Sequence, residues 1–144
     1  MARPHTTDPA REAWSRIADL FFSGDVHERF HDACGAIDVT PPALKALLSL
    51  EEGEAKAMRA LAGEWRCDAS WVTSLVDSLE ERGLVERRIL PTDRRVKTVV
   101  LTTAGAEAKV KALDTLHQPP PRIARLSRAQ QVALRDALAA IDAD

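Results

Sequence analysis

The sequence predicts a mostly α-helical fold: a winged helix-turn-helix with a two-stranded β-wing, flanked by N- and C-terminal helices. Three observations carry this. Apolar residues recur at helical spacing in successive stretches between residues 9 and 81, the last opened by a capping aspartate and closed by a glycine. Two β-like runs, LVERRIL and VKTVVLT, follow at once and are joined by turn formers. Two further helical stretches complete a chain of 144 residues, enough for one folding unit and too short for two ordinary ones.

Asp8 and Pro9 open the first helix with an N-cap acceptor and a proline in the first turn. Trp14, Ile17, Ala18 and Phe21 follow at helical spacing; Gly24 and Asp25 interrupt, and Val26, Phe30, Ala33, Cys34 and Ile37 resume, which predicts one long, kinked helix to about residue 38. Thr40, Pro41 and Pro42 start a second helix with Leu44, Leu47 and Leu48 inward. A third, over roughly 56–65, presents Met58, Leu61, Ala62 and Trp65. Asp68 caps a fourth, in which Val72, Leu75, Val76 and Leu79 share a narrow arc opposite Ser70, Ser74, Asp77 and Glu81, with Trp71, Thr73 and Ser78 on the flanks. Gly83 supplies a left-handed stop. The hairpin turns at Pro91, Thr92 and Asp93. Thr103 caps a helix to about His117, Pro119 to Pro121 break it, and Ser127 caps the last helix, with Val132, Leu134, Leu138 and Ile141 on its apolar side. Trp14, Phe21, Phe22, Phe30 and Trp65 are candidates for an effector pocket, but apolar residues at helical spacing are more often plain core, and they are read as core here.

The hydrophobic share of 45% and charged share of 29% are those of a globular protein, and no apolar run approaches the length of a bilayer span. The stretch MARPHTTDPAREAW has no apolar signal region, so the expected location is the cytoplasm. Cys34 and Cys67 stand far apart with no C-x-x-C pair, which argues against a disulfide framework and a four-cysteine zinc site. The whole chain carries −2, but from Arg82 to Lys97 six basic side chains face only Glu86 and Asp93; this segment is +4 and the remainder −6. Such segregation is an electrostatic footprint for phosphates.

A major groove admits one α-helix, so the fourth helix can present its outer face to base edges while the basic hairpin meets the flanking backbone or a narrow minor groove. The continuous stretch LAGEWRCDASWVTSLVDSLEERGLVERRILPTDRRVKTVVLTTAG, residues 61 to 105, resembles the core of the MarR family of winged helix-turn-helix transcriptional regulators. LVDSLEERGLVER, the D-x-R within PTDRR and the closing VVLTTAG are its specific parts, and TPPALKALLSL fits the family's second helix. The resemblance implies one domain over 1–144, with residues 40–102 binding DNA and 8–38 and 103–144 forming dimerisation helices. It further implies a homodimeric repressor on a pseudo-palindromic double-stranded operator, released by a small aromatic or lipophilic effector, with no cofactor and no catalysis.

Carried over to this chain, Asp93 and Arg95 match the D-x-R pair, the aspartate orienting an arginine for the minor groove. Arg94 is then a neighbouring phosphate contact, Arg87 supports the wing or touches backbone, and Arg88 and Lys97 complete the basic set. On the recognition helix Ser70, Thr73 and Ser74 take the contact positions, with Trp71 and Ser78 on the flanks. From Cys67 to Glu81 there is no lysine or arginine, where many relatives place one near Ser74 and Ser78, so bidentate guanine reading from mid-helix is not expected.

The stretch VHERFHDACG contains H-E-x-x-H at His27, Glu28 and His31, with Cys34 one turn on. A zinc hydrolase would need a third ligand, an open coordination position and a substrate cleft, for which a winged-helix chain of this size leaves little room. The plainer reading makes Cys34 core and the histidines flank residues; the sharper one groups His27, His31 and Cys34 as an effector site. A winged-helix protein-interaction module, suggested by the acidic recognition helix, is the other alternative to a DNA reader.

Overall fold

The structure, a computed structural model, describes residues 8–143, and the chain divides into two compact units, one reaching to His27 and resuming at His117, the other Glu28–Leu116. The second unit is the winged helix. It holds the latter part of α2 (Gly24–Ala36), then α3 (Pro41–Leu48), β1 (Lys56–Ala57), α4 (Met58–Glu64), α5 (Ala69–Glu81), β2 (Val85–Leu90), β3 (Asp93–Leu101) and nearly all of α6 (Thr103–His117).

Local chemistry sets the helix ends. The Thr40 hydroxyl accepts from the Ala43 amide at 3.4 Å, the Asp68 carboxylate from the Trp71 amide at 2.8 Å, and Gly83 turns the chain at φ +71°. The apolar arc of α5 closes on α3 and the sheet: Leu44, Leu47, Leu50, Leu61, Val72, Val76, Leu79, Val85 and Val99 are fully buried. Each such side chain contributes roughly 1.5–3 kcal/mol. The C-terminal end of α3 is held by two lysines, Lys56 donating to the Ser49 carbonyl at 3.1 Å and Lys109 to the Leu50 carbonyl at 2.6 Å, where positive charge complements the helix dipole.

The wing is the expected antiparallel β2–β3 hairpin, but the sheet has three strands, in the order β1-β3-β2, because Lys56 and Ala57 pair with Val99 and Thr98. The expected third helix therefore starts at Met58. Strand β3 begins at Asp93, earlier than the apolar run suggests, and pairs it with Leu90. Thr102 caps α6 in place of Thr103: its hydroxyl accepts from the Gly105 amide at 3.0 Å, and its own amide donates to the Leu84 carbonyl at 3.1 Å. A Cβ on Gly105 would lie 1.8 Å from that same carbonyl oxygen, so only glycine allows α6 this approach.

The first unit contains α1 (Pro9–Phe21), the start of α2, α7 (Pro121–Ala124) and α8 (Arg128–Ala139). The expected kinked helix is two helices; the Ser23 hydroxyl donates to the Leu20 carbonyl at 2.6 Å and closes α1. The proline break holds a short helix of its own, and Ser127 and Gln130 form a reciprocal capping box on α8. No residue of α1, α7 or α8 is buried. Trp14, Phe21 and Phe22, read from the sequence as core, are 69%, 71% and 90% exposed, whereas Phe30 and Trp65 are half-buried against the winged-helix core.

Candidate nucleic-acid interface

With its inner face anchored, α5 turns Ser70, Trp71, Thr73 and Ser74 outward. The outer hydroxyls are mostly engaged within the helix. Ser70 donates to the Asp68 carboxylate at 2.6 Å and Thr73 to the Ala69 carbonyl at 3.0 Å. Ser78 is half-buried and accepts from Arg82 at 3.3 Å, while the same guanidinium donates to the Asp38 carbonyl, tying the end of α5 to the turn before α3. Ser74 keeps an exposed hydroxyl with no such bond among the described residues. The Ser70 hydroxyl and then the Trp71 amide hold the Asp68 carboxyl below its ordinary range.

The basic residues of the hairpin divide into two kinds. Arg87 is internal: it pairs with Asp77 and with Glu80 (2.6 Å), takes the other Glu80 oxygen on its own amide at 3.0 Å, and reaches the Thr73 carbonyl at 3.4 Å. Burial opposes its charge, but the two carboxylates outweigh it and raise the guanidinium pKa further. Two of the acidic side chains of α5 are thereby neutralised within the fold. Arg88 lies against Glu86 on its own strand. Arg94, Arg95 and Lys97 are exposed, and among the described residues no carboxylate pairs with them. Asp93 accepts from the Arg95 amide at 3.0 Å, so its orienting bond goes to the backbone.

Between wing and helix lies a cleft of about 750 Å³ whose lining includes Met58, Arg59, Thr73, Arg87, Arg95 and Lys97. Arg59 was not among the residues legible as functional; it is exposed and reaches this place because β1 ties the start of α4 to β3. A positive cleft beside an exposed helix face is suited to a polyanion with a groove.

His27 and His31 are exposed on α2, whereas Cys34 is buried in the winged-helix core, and burial raises its thiol pKa above the ordinary value near 9. Among the described residues, no three His, Cys, Asp or Glu side chains gather into a metal-holding group.

The MarR family model matches residues 39–97. These residues are a MarR-family winged helix. The MarR match contains every recognition-helix and wing residue named above and excludes His27, His31 and Cys34. A curated relative, the organic hydroperoxide resistance transcriptional regulator of Bacillus subtilis, is 27% identical over 92 residues, which cover 64% of this chain and 63% of that protein. Among solved structures, a transcriptional regulator from Thermotoga maritima shares the fold with TM-score 0.73 at 22% identity, covering 93% of this chain and 92% of its own. A MepR variant of S. aureus, solved bound to an oligodeoxyribonucleotide, shares it with TM-score 0.66 at 19% identity over 89% of this chain and 94% of its own.

Proposed function

We propose that this protein is a sequence-specific double-stranded DNA-binding transcriptional regulator that works as a homodimer and represses until a small aromatic or lipophilic effector releases it. The observation that carries the reading is the cleft in which Arg59, Arg95 and Lys97 stand beside the exposed face of α5. Cations with no ion pair among the described residues, next to a helix of groove-fitting width, suit phosphate contact on either side of a major groove. The DNA-bound MepR relative supports the same use of this fold. A protein-binding winged helix is the weaker reading, because Asp77 and Glu80, which made α5 look acidic, are held by Arg87.

A second copy is the partner that unit one calls for. Trp14, Phe21, Phe22, Leu138 and Ile141 leave α1, α8 and the residues just after them with large exposed apolar side chains, which a self-complementary dimer interface would cover. The Bacillus relative's name raises organic hydroperoxides as an effector class, but a buried Cys34 thiol with raised pKa is a poor peroxide-reactive thiolate.

The test is a footprint of the full chain on duplexes selected from a random library. The proposal expects two protections related by a dyad, with half-site centres about 34–36 Å or one helical turn apart. A chain that retains no duplex, or protects one unsymmetrical stretch, contradicts it.

A further inference from the structure

Resting on the DNA-binding reading, we propose that α5 identifies its site through thymine methyl groups, touched by Trp71 and Thr73, and makes no bidentate reading of guanine or adenine. The inference follows from which base-reading groups α5 lacks and which the fold has already engaged. Guanine is read in the major groove by arginine or lysine on O6 and N7, and adenine by asparagine or glutamine on N6 and N7. Between Cys67 and Glu81 there is none of these four residues.

Cytosine is singled out by a carboxylate that accepts from N4. Asp68 is held as the N-cap, its Oδ1 accepting from both the Ser70 hydroxyl and the Trp71 amide, and Asp77 and Glu80 are paired with Arg87. Glu81 is the last residue of α5, at the end away from the N-terminal turns that contact base edges. The hydroxyls of Ser70, Thr73 and Ser78 are engaged as well. Ser74 can donate to or accept from any base, so it adds affinity without choosing a base.

What remains exposed on the first turns is apolar. Trp71 sits in the first turn of α5, 48% exposed, and borders a groove that it lines together with Pro42, Lys45, Trp65 and Leu75. Thr73, on the wing side, keeps its methyl group after its hydroxyl bonds back to Ala69. Apolar side chains of this kind distinguish thymine by its C5-methyl, the one apolar group that a base presents in the major groove.

The experiment uses the full chain and the tightest duplex selected from a random library, followed by fluorescence anisotropy on copies altered one position at a time. Deoxyuridine in place of thymidine removes only the methyl; 7-deazaguanine in place of guanine removes only N7. The expected result is a loss of about fourfold at one or more thymines, the worth of one buried methyl, with no 7-deazaguanine copy weakened by the roughly tenfold that loss of a bidentate contact would cost. The thymine effect should vanish at its position in Trp71→Ala or Thr73→Ser and persist in Trp71→Phe. Tolerance of deoxyuridine everywhere with a tenfold loss at a 7-deazaguanine overturns the inference and leaves DNA binding standing. So does a deoxyuridine effect that both Trp71→Ala and Thr73→Ser retain. Selection of no duplex at all overturns the DNA-binding reading and this inference with it.

Discussion

Arg87 and Arg95 stand on one hairpin with the same side chain and opposite surroundings. Two carboxylates hold Arg87, while Arg95 faces the cleft with no ion pair among the described residues. Arg87→Ala should therefore destabilise the winged helix by on the order of 1 kcal/mol, a figure already discounted for the partly exposed carboxylates, as read from the denaturation midpoint. Arg87→Lys should recover only part of this, because one ammonium cannot reproduce the fork that meets both acids. Two groups link stability to pH. Cys34 has its pKa raised by burial, so the stability linked to its neutral thiol is complete below the ordinary thiol value and lost as pH rises through the raised one. At pH 8 a thiol reagent should modify Cys67 in the folded chain and reach Cys34 only on unfolding; equal rates would contradict the burial. Asp68 has its pKa lowered, so the cap it forms is complete above the ordinary carboxylate value and is lost as pH falls through the lowered one. The protection of the first-turn amides of α5, measured against the exchange of an unstructured chain at the same pH, should then fall in acid, and Asp68→Asn, which keeps a capping acceptor, should remove that pH dependence. The family resemblance implied that Arg87 supports the wing or touches backbone; the sequence could not choose, because Asp77 and Glu80 come within reach only when the chain reverses at Gly83.

The elements of the winged helix were legible wherever their cause is local. Asp8, Thr40, Asp68 and Ser127 cap the helices they precede, and the apolar arc of α5 is the one that is buried. The two residues of β1 were not legible, because Lys56 and Ala57 show no alternation and become a strand only by pairing with β3, more than forty residues on. Arg59 was missed for the same reason, since its place in the cleft depends on that pairing. The capping role of Thr102 was hidden by its neighbour Thr103, an equally good cap in isolation. Gly105 gives the sharpest element-scale prediction. In Gly105→Ala the new methyl would meet the Leu84 carbonyl, so α6 must shift away from the β2 junction, at a cost of about 3 kcal/mol. A denaturation midpoint unchanged from the parent would show that α6 does not approach so closely.

For the whole molecule, the periodicity of the terminal helices was read correctly as apolar and wrongly as core. Helical spacing marks a face to be covered without saying whether the cover belongs to the same chain, and Trp14, Phe21 and Phe22 are left exposed here. Phe22→Glu combined with Leu138→Glu should therefore yield a monomer in sedimentation while α5 and the wing keep their structure, and should weaken binding to a two-fold site far more than to a single half-site. The central claim is that the wing cleft is a phosphate surface, and salt dependence tests it most directly. Binding of the full chain to its selected duplex should fall linearly in a plot of log affinity against log salt, and Arg95→Ala should flatten that slope by about 0.9 for each phosphate that the arginine neutralises. A parent slope near zero, or a slope and affinity unchanged in Arg95→Ala, would contradict the account.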